Sequence, residues 1–209
     1  MSNSSLVSYT HLSPHYRTRT SKISKISIHH GAVVNASLKG FGNGFAGSRV
    51  ASANYAVDSN GNVGMYVEEK HRAITSSNTA NDDVAVTIEV ANCKGEPNWE
   101  VSDKALSATI DLCVDICKRN GIEKLNFTGD KNGNLTQHNY FAATGCPGPY
   151  LKSKFQYIAD KVNERLCEDT TIYRVQVGAF SVKANAENYL KKVKEAGFAD
   201  AFIVKGGKE

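Results

Sequence analysis

VAVTIEVAN, residues 84–92, alternates without a break: Val84, Val86, Ile88 and Val90 fall on one face, Ala85, Thr87, Glu89 and Ala91 on the other. A strand with an aliphatic face and a carboxylate opposite it reads as part of a sheet packed on helices. Upstream, KISIHH (25–30) has the same period: Ile26 and Ile28 share a face with His30, while His29 shares the other with Ser27. If both strands lie in one sheet, His29 and Glu89 open onto the same face, and His30 is expected as a core histidine. Between them, ANYAV (53–57), DSNGN (58–62) and VGMYVE (63–68) read as strand, turn and strand, a hairpin around Asn60-Gly61. Downstream, Ser102 caps a helix expected over about 103–120, with Leu106, Ile110, Cys113, Val114 and Cys117 on one stripe and Gly121 as its stop. A second helix is expected over about 151–166. Strands alternating with helices, together with a hairpin, predict an α/β domain with a mixed central β-sheet flanked by helices.

The flanks of this domain read differently. Residues 1–20 are polar and aperiodic and are expected to lie as an arm over it. Composition shifts at 167–171, a short polar joint. Beyond it, residues 172–209 read as a small βαβ unit: YRVQVGAF (173–180), an amphipathic helix over about 182–196 stopped by Gly197, then DAFIVK (200–205). The expected organisation is therefore 1–166, a linker at 167–171, and 172–209. A unit below ~40 residues seldom buries enough surface to stand alone, so the tail is expected to dock or to pair with a second copy.

Charge and composition narrow the function. The 209 residues carry 25 Lys+Arg and 21 Asp+Glu, net +4, and the first 57 hold Arg17, Arg19, Lys22, Lys25, Lys39 and Arg49 without one acid. Such a bias favours loose attraction to an anionic polymer. No basic run or zinc-finger spacing points to nucleic acid, and no window is apolar enough for membrane insertion. The N-terminus lacks the apolar core of a signal peptide, so synthesis in the cytoplasm without such a signal is expected. Cys93, Cys113, Cys117, Cys146 and Cys167 are odd in number and irregularly spaced, which argues for free thiols. GFGNGFAGS (40–48) contains G-x-G-x-x-G, but its glycines do not follow a strand directly, so they are read as loop turns rather than a dinucleotide site.

The chemical signal is His29, His138 and Cys146, each expected near the end of an element. Imidazole nitrogen and thiolate sulfur are donors zinc prefers, and three protein donors with one open position is the catalytic pattern. The bland alternative, a surface histidine and a small buried thiol, remains open on spacing alone. Glu89, on the face of His29, is placed to move a proton. Cys113 and Cys117 fall on the helix stripe and are read as packing.

With those residues in view, the chain resembles the zinc-dependent N-acetylmuramoyl-L-alanine amidases of the type-2 amidase family, relatives of the peptidoglycan-recognition proteins, and above all clostridial phage endolysins. The likeness rests on ISIHH, SANYAVDSNGNVGMYVEEKHRA, VTIEVAN, DLCVDICKRNGI and H-x7-CPG. It implies one Zn2+ held by His29, His138 and Cys146, with Glu89 as general base and Tyr55 beside the metal. It also implies hydrolysis of the amide between N-acetylmuramic acid and L-alanine in bacterial peptidoglycan, so that the protein acts on the cell wall. Thr144 stands where some relatives carry a catalytic lysine, and Ile74 where a tryptophan is common; oxyanion help is then expected from Thr144 and Tyr55. The tail resembles one half of a SPOR domain, a peptidoglycan-binding module of duplicated βαβ plan, so two chains could complete one sheet as a homodimer. The rival reading is a non-catalytic wall-recognition protein, whose mark would be a missing Cys146.

Overall fold

The computed structural model describes residues 2–168 and 175–206. In chain order its elements are β1 (Val7–Thr10), β2 (Tyr16–Thr18), β3 (Lys25–Val34), α1 (Leu38–Ala46), β4 (Tyr55–Val57), β5 (Val63–Met65), β6 (His71–Ala73), α2 (Thr79–Val84), β7 (Ala85–Asn92), α3 (Asp103–Asn120), β8 (Leu135–Gln137), α4 (Gly148–Glu168) and α5 (Lys183–Glu195). Six strands form one mixed sheet in the order β1-β5-β4-β7-β3-β8, in which only the β4–β5 pair is antiparallel. That pair is the expected hairpin, with Gly61 at φ 86 in its turn. The chain divides into two compact units, Met1–Thr170 and Thr171–Glu209.

Strand parity decides which face becomes core. Ile26, Ile28, Tyr55, Val57, Val86, Ile88, Val90 and Leu135 pack under α3 and α4, against Ile110, Cys113, Cys117, Leu151, Phe155 and Ile158. The α3 boundaries follow their caps: Ser102 Oγ accepts from the Ala105 amide at 3.1 Å, and Gly121 takes the left-handed conformation at φ 67. The opposite face is buried but polar. Ser27 and Thr136 share a hydrogen bond at 2.6 Å, and Asn81 of α2 donates to Ser27 Oγ at 3.0 Å. One face thus supplies apolar burial while the other is free to carry chemistry.

Several expectations are corrected. The glycine-rich segment is not a loop: α1 runs through Gly40, Gly42 and Gly44, capped by Ser37, whose side chain accepts from the Gly40 amide. Tertiary packing overrides propensity here, because Leu38 and Phe41 are buried and a Cβ on Gly42 would lie 2.5 Å from His11 Nδ1. The N-terminal arm contributes strands, β1 on the sheet edge and β2 paired with β6. Arg19 pins that arm with all five N–H donors on main-chain oxygens of Glu69, Asp82, Asp83, His71 and Ala85, at 2.7–3.2 Å. Cys167 and Glu168, assigned to the linker from sequence, belong to α4.

In the second unit α5 forms as expected, but no strand flanks it among the described residues; residues 173–174 of the first expected strand lie outside them. A strand exists only through a hydrogen-bonded neighbour, and a lone βαβ half offers its apolar residues none. Val175 is 88 % exposed and Phe202 72 %.

Candidate metal centre

β3 and β7 run parallel in a register that sets His29 opposite Glu89, and β4 sets Ala56 opposite the same Glu89, so all three share the polar face. β8 pairs Thr136 with Ser27, and the chain then enters a short 3-10 turn at His138, two residues on and therefore on the side of His29. The two imidazole centroids lie 4.9 Å apart. The loop before α4 brings in the third residue, with Cys146 Sγ 3.6 Å from His29 Nδ1. Among the described residues these three form the one cluster able to hold a metal, their donor atoms all lying within 4.8 Å of one another. Donors gripping a tetrahedral ion at about 2.0–2.3 Å sit roughly 3.3–3.8 Å apart, so a small contraction suffices.

The surroundings fit a cation. His29 Nε2, His138 Nε2 and Glu89 Oε2 are buried and have no hydrogen-bond partner among the described residues. Such orphans are costly unless a ligand satisfies them. Burial pushes the His29 pKa down to about 3, helped by its neighbours His138 and His30, so the ring is neutral and its lone pair available. Burial lowers the His138 pKa too, with Asp82 opposing and Arg49 assisting. Burial raises the Glu89 pKa to about 8, and the Arg49 guanidinium works against it. Burial, then the Glu89 charge, raises the Cys146 pKa, while the His30 amide facing the sulfur lowers it.

The other sequence candidates separate. Thr144 is exposed on the Cys146 loop, and its hydroxyl accepts from the Cys146 amide at 3.2 Å, leaving its own proton to donate. Tyr55 is a correction: it stands opposite Ile88, not Glu89, and points into the core. Its hydroxyl donates to Glu69 Oε1 at 2.7 Å and accepts from the Ser4 amide at 3.0 Å, which occupies it far from any role beside a metal. The parity of β4 within the hairpin carried that information. His30 is not a core residue but half-buried, its ring edge-on to Trp99 with centroids 5.5 Å apart. Arg49 and Asp82, whose charges reach the site, went unassigned because their segments read as loops.

Comparison with known proteins completes the picture. A family model described as N-acetylmuramoyl-L-alanine amidase matches residues 19–149, and one described as a SPOR domain matches residues 169–209. No curated protein matches the chain in a sequence search. Among solved structures, PlyL is similar at TM-score 0.57 and 16 % identity, covering 74 % of this chain and 95 % of that one. A mutant endolysin from Bacillus subtilis is similar at TM-score 0.58 and 13 % identity, covering 74 % and 97 %. The Ph2119 endolysin from a Thermus scotoductus bacteriophage is similar at TM-score 0.51 and 18 % identity, covering 70 % and 89 %. At these identities the structures establish a shared fold.

Proposed function

Since the chain belongs to the N-acetylmuramoyl-L-alanine amidase family, hydrolases of cell-wall peptidoglycan, we propose that His29, His138 and Cys146 hold one zinc ion at its catalytic centre. The observation that carries this reading is the convergence of two imidazoles and a thiol within 4.8 Å beside an orphaned carboxylate oxygen. A thiolate among the donors offsets one of the two positive charges, and neutral imidazoles need no deprotonation. When bound, the ion supplies Lewis acidity, polarising the scissile carbonyl and making water nucleophilic near neutral pH.

The chain's own groups do the rest. Glu89 Oε2, unpartnered and facing the site, takes the proton from the attacking water and returns it to the nitrogen of L-alanine as the amide breaks. Burial strengthens its hold on that proton, so the group can keep it between the two transfers. The Thr144 O–H is left to donate to the oxygen that gains charge in the tetrahedral state.

The tail supports a wall-binding role through its SPOR match, with a boundary just after α4, near residues 169–171. The exposed Val175, Val177, Phe202 and Ile203 are the surface that two copies would cover on pairing, which supports a homodimer through residues 172–209. Mass spectrometry of fragments released from purified walls, with and without chelator, tests the reaction. Free L-alanine amino termini that vanish with chelator are expected; chelator-resistant release overturns the zinc centre.

A further inference from the structure

Outside the donor set, Trp99, His30 and Gly148 meet in a tight contact in the first unit. Trp99, the sole tryptophan of the chain, adopts φ 53, a conformation that bulky side chains avoid. The surrounding contacts over-determine it. Its main-chain oxygen accepts from Asn92 Nδ2 at 2.7 Å, its amide donates to the Gly95 oxygen at 3.0 Å, and the neighbouring Asn98 oxygen accepts from the Tyr150 amide at 3.1 Å. The segment is thereby tied both to the end of β7 and to the first turn of α4. Gly148 sits at φ 80, and a Cβ there would lie 3.1 Å from the His30 ring and 3.2 Å from Trp99 Cβ. The three residues therefore close on one another with no space to spare.

Their places in the chain give that contact a consequence. His30 follows the donor His29 on β3, and Gly148 stands two residues after the donor Cys146. The clasp is the packing link between the strand that presents one donor and the loop that presents another. Groups just behind metal donors orient them, and their loss commonly weakens metal binding about 10–100-fold.

We infer that His30 and Trp99 are positioning residues for the metal centre, closing on Gly148 so that the Cys146 sulfur is held against the His29 imidazole. This rests on the zinc reading above. Because Trp99 is the sole tryptophan, the clasp also makes its fluorescence a reporter of metal occupancy.

The test uses the full chain, stripped of metal and titrated with zinc against a chromophoric chelator. Trp99→Ala, Gly148→Ala and His30→Gln are expected to bind zinc at least tenfold more weakly than the wild type, with Trp99→Phe intermediate. Val162→Ala, in the α4 core, is the comparison for loss of stability alone and is expected to keep wild-type affinity. Zinc is expected to change the wild-type Trp99 emission with one-to-one stoichiometry. Wild-type zinc affinity in both Trp99→Phe and Gly148→Ala overturns the clasp and leaves the metal centre standing, as does an equal loss in Val162→Ala. A wild-type chain that takes up no zinc overturns both.

Discussion

Replacing Glu89 with Gln separates what this carboxyl does for catalysis from what its burial costs the fold. The side chain keeps its shape and loses only the ability to ionise. Positioned general bases contribute about 10²–10⁴-fold, so hydrolysis of purified walls should fall by that factor, a barrier increase of about 3–5 kcal/mol. Stability should move the other way. The carboxyl has its ordinary pKa of 4.5 when unfolded and about 8 when folded. Below the lower value both states are protonated and nothing is lost. As pH rises the unfolded state ionises first, so the folded state loses stability until pH passes the upper value. At pH 7 the loss approaches about 3 kcal/mol, since each unit above the unfolded pKa costs about 1.4 kcal/mol. Glu89→Gln should recover up to that amount in metal-free protein, which for a domain of this size corresponds to roughly 6–12 °C in Tm. Melting both proteins in chelator from pH 4 to pH 8.5 reads the difference directly. A gain that is absent at pH 4 and grows toward neutrality is expected, and zinc should shrink it, because a nearby dication favours the charged carboxylate. A Tm difference independent of pH would refute the burial argument; undiminished hydrolysis would refute the proton-transfer role.

Other perturbations test other parts of the molecule. Cys146→Ser should abolish both wall lysis and zinc uptake with an unchanged circular dichroism spectrum, and retained lysis would remove the thiol from the centre. Tyr55→Phe should lower stability by about 1–2 kcal/mol through the lost hydrogen bond to buried Glu69 while leaving kcat near wild type, and a hundredfold fall in kcat would restore the tyrosine to the site. Arg19→Met should cost about 3–5 kcal/mol in urea unfolding, because it strands main-chain oxygens that five guanidinium N–H groups now satisfy; a change under 1 kcal/mol would mean the carbonyls find other partners. Deleting residues 170–209 should leave the rate on soluble muropeptides unchanged but weaken co-sedimentation with walls, and unaltered sedimentation would remove the tail from wall binding.

Much of the first unit was legible because its signals are local. The period of two in 84–92 and 25–30 named the apolar face and put His29 and Glu89 on the other, which β3 and β7 then set opposite each other. Ser102 and Gly121 marked α3 to the residue, since caps act within one turn. Where contacts between distant segments decide, local signals failed. The segment of α1 is helical despite its glycines because Leu38 and Phe41 are buried and a Cβ on Gly42 would strike His11, which no propensity could report. Tyr55 follows a family pattern in sequence, yet its hydroxyl is claimed by Glu69 and Ser4 from remote parts of the chain. Among the described residues, the tail's flanking segments have strand-like side chains but no ladder, since a ladder belongs to a pair and not to one segment.

Sequence alone determined the α/β class and the polar and apolar faces of the central strands, and singled out His29, His138 and Cys146 as candidate donors, because residue type and strand period are properties of short stretches. Only the tertiary structure decided that those donors lie within reach of one ion, that Glu89 Oε2 is buried without a hydrogen-bond partner, and that Trp99 closes against His30 and Gly148. Each of those depends on the distance between segments tens of residues apart, and burial, which moves pKa values and orders metal donors, arises only when such segments pack together.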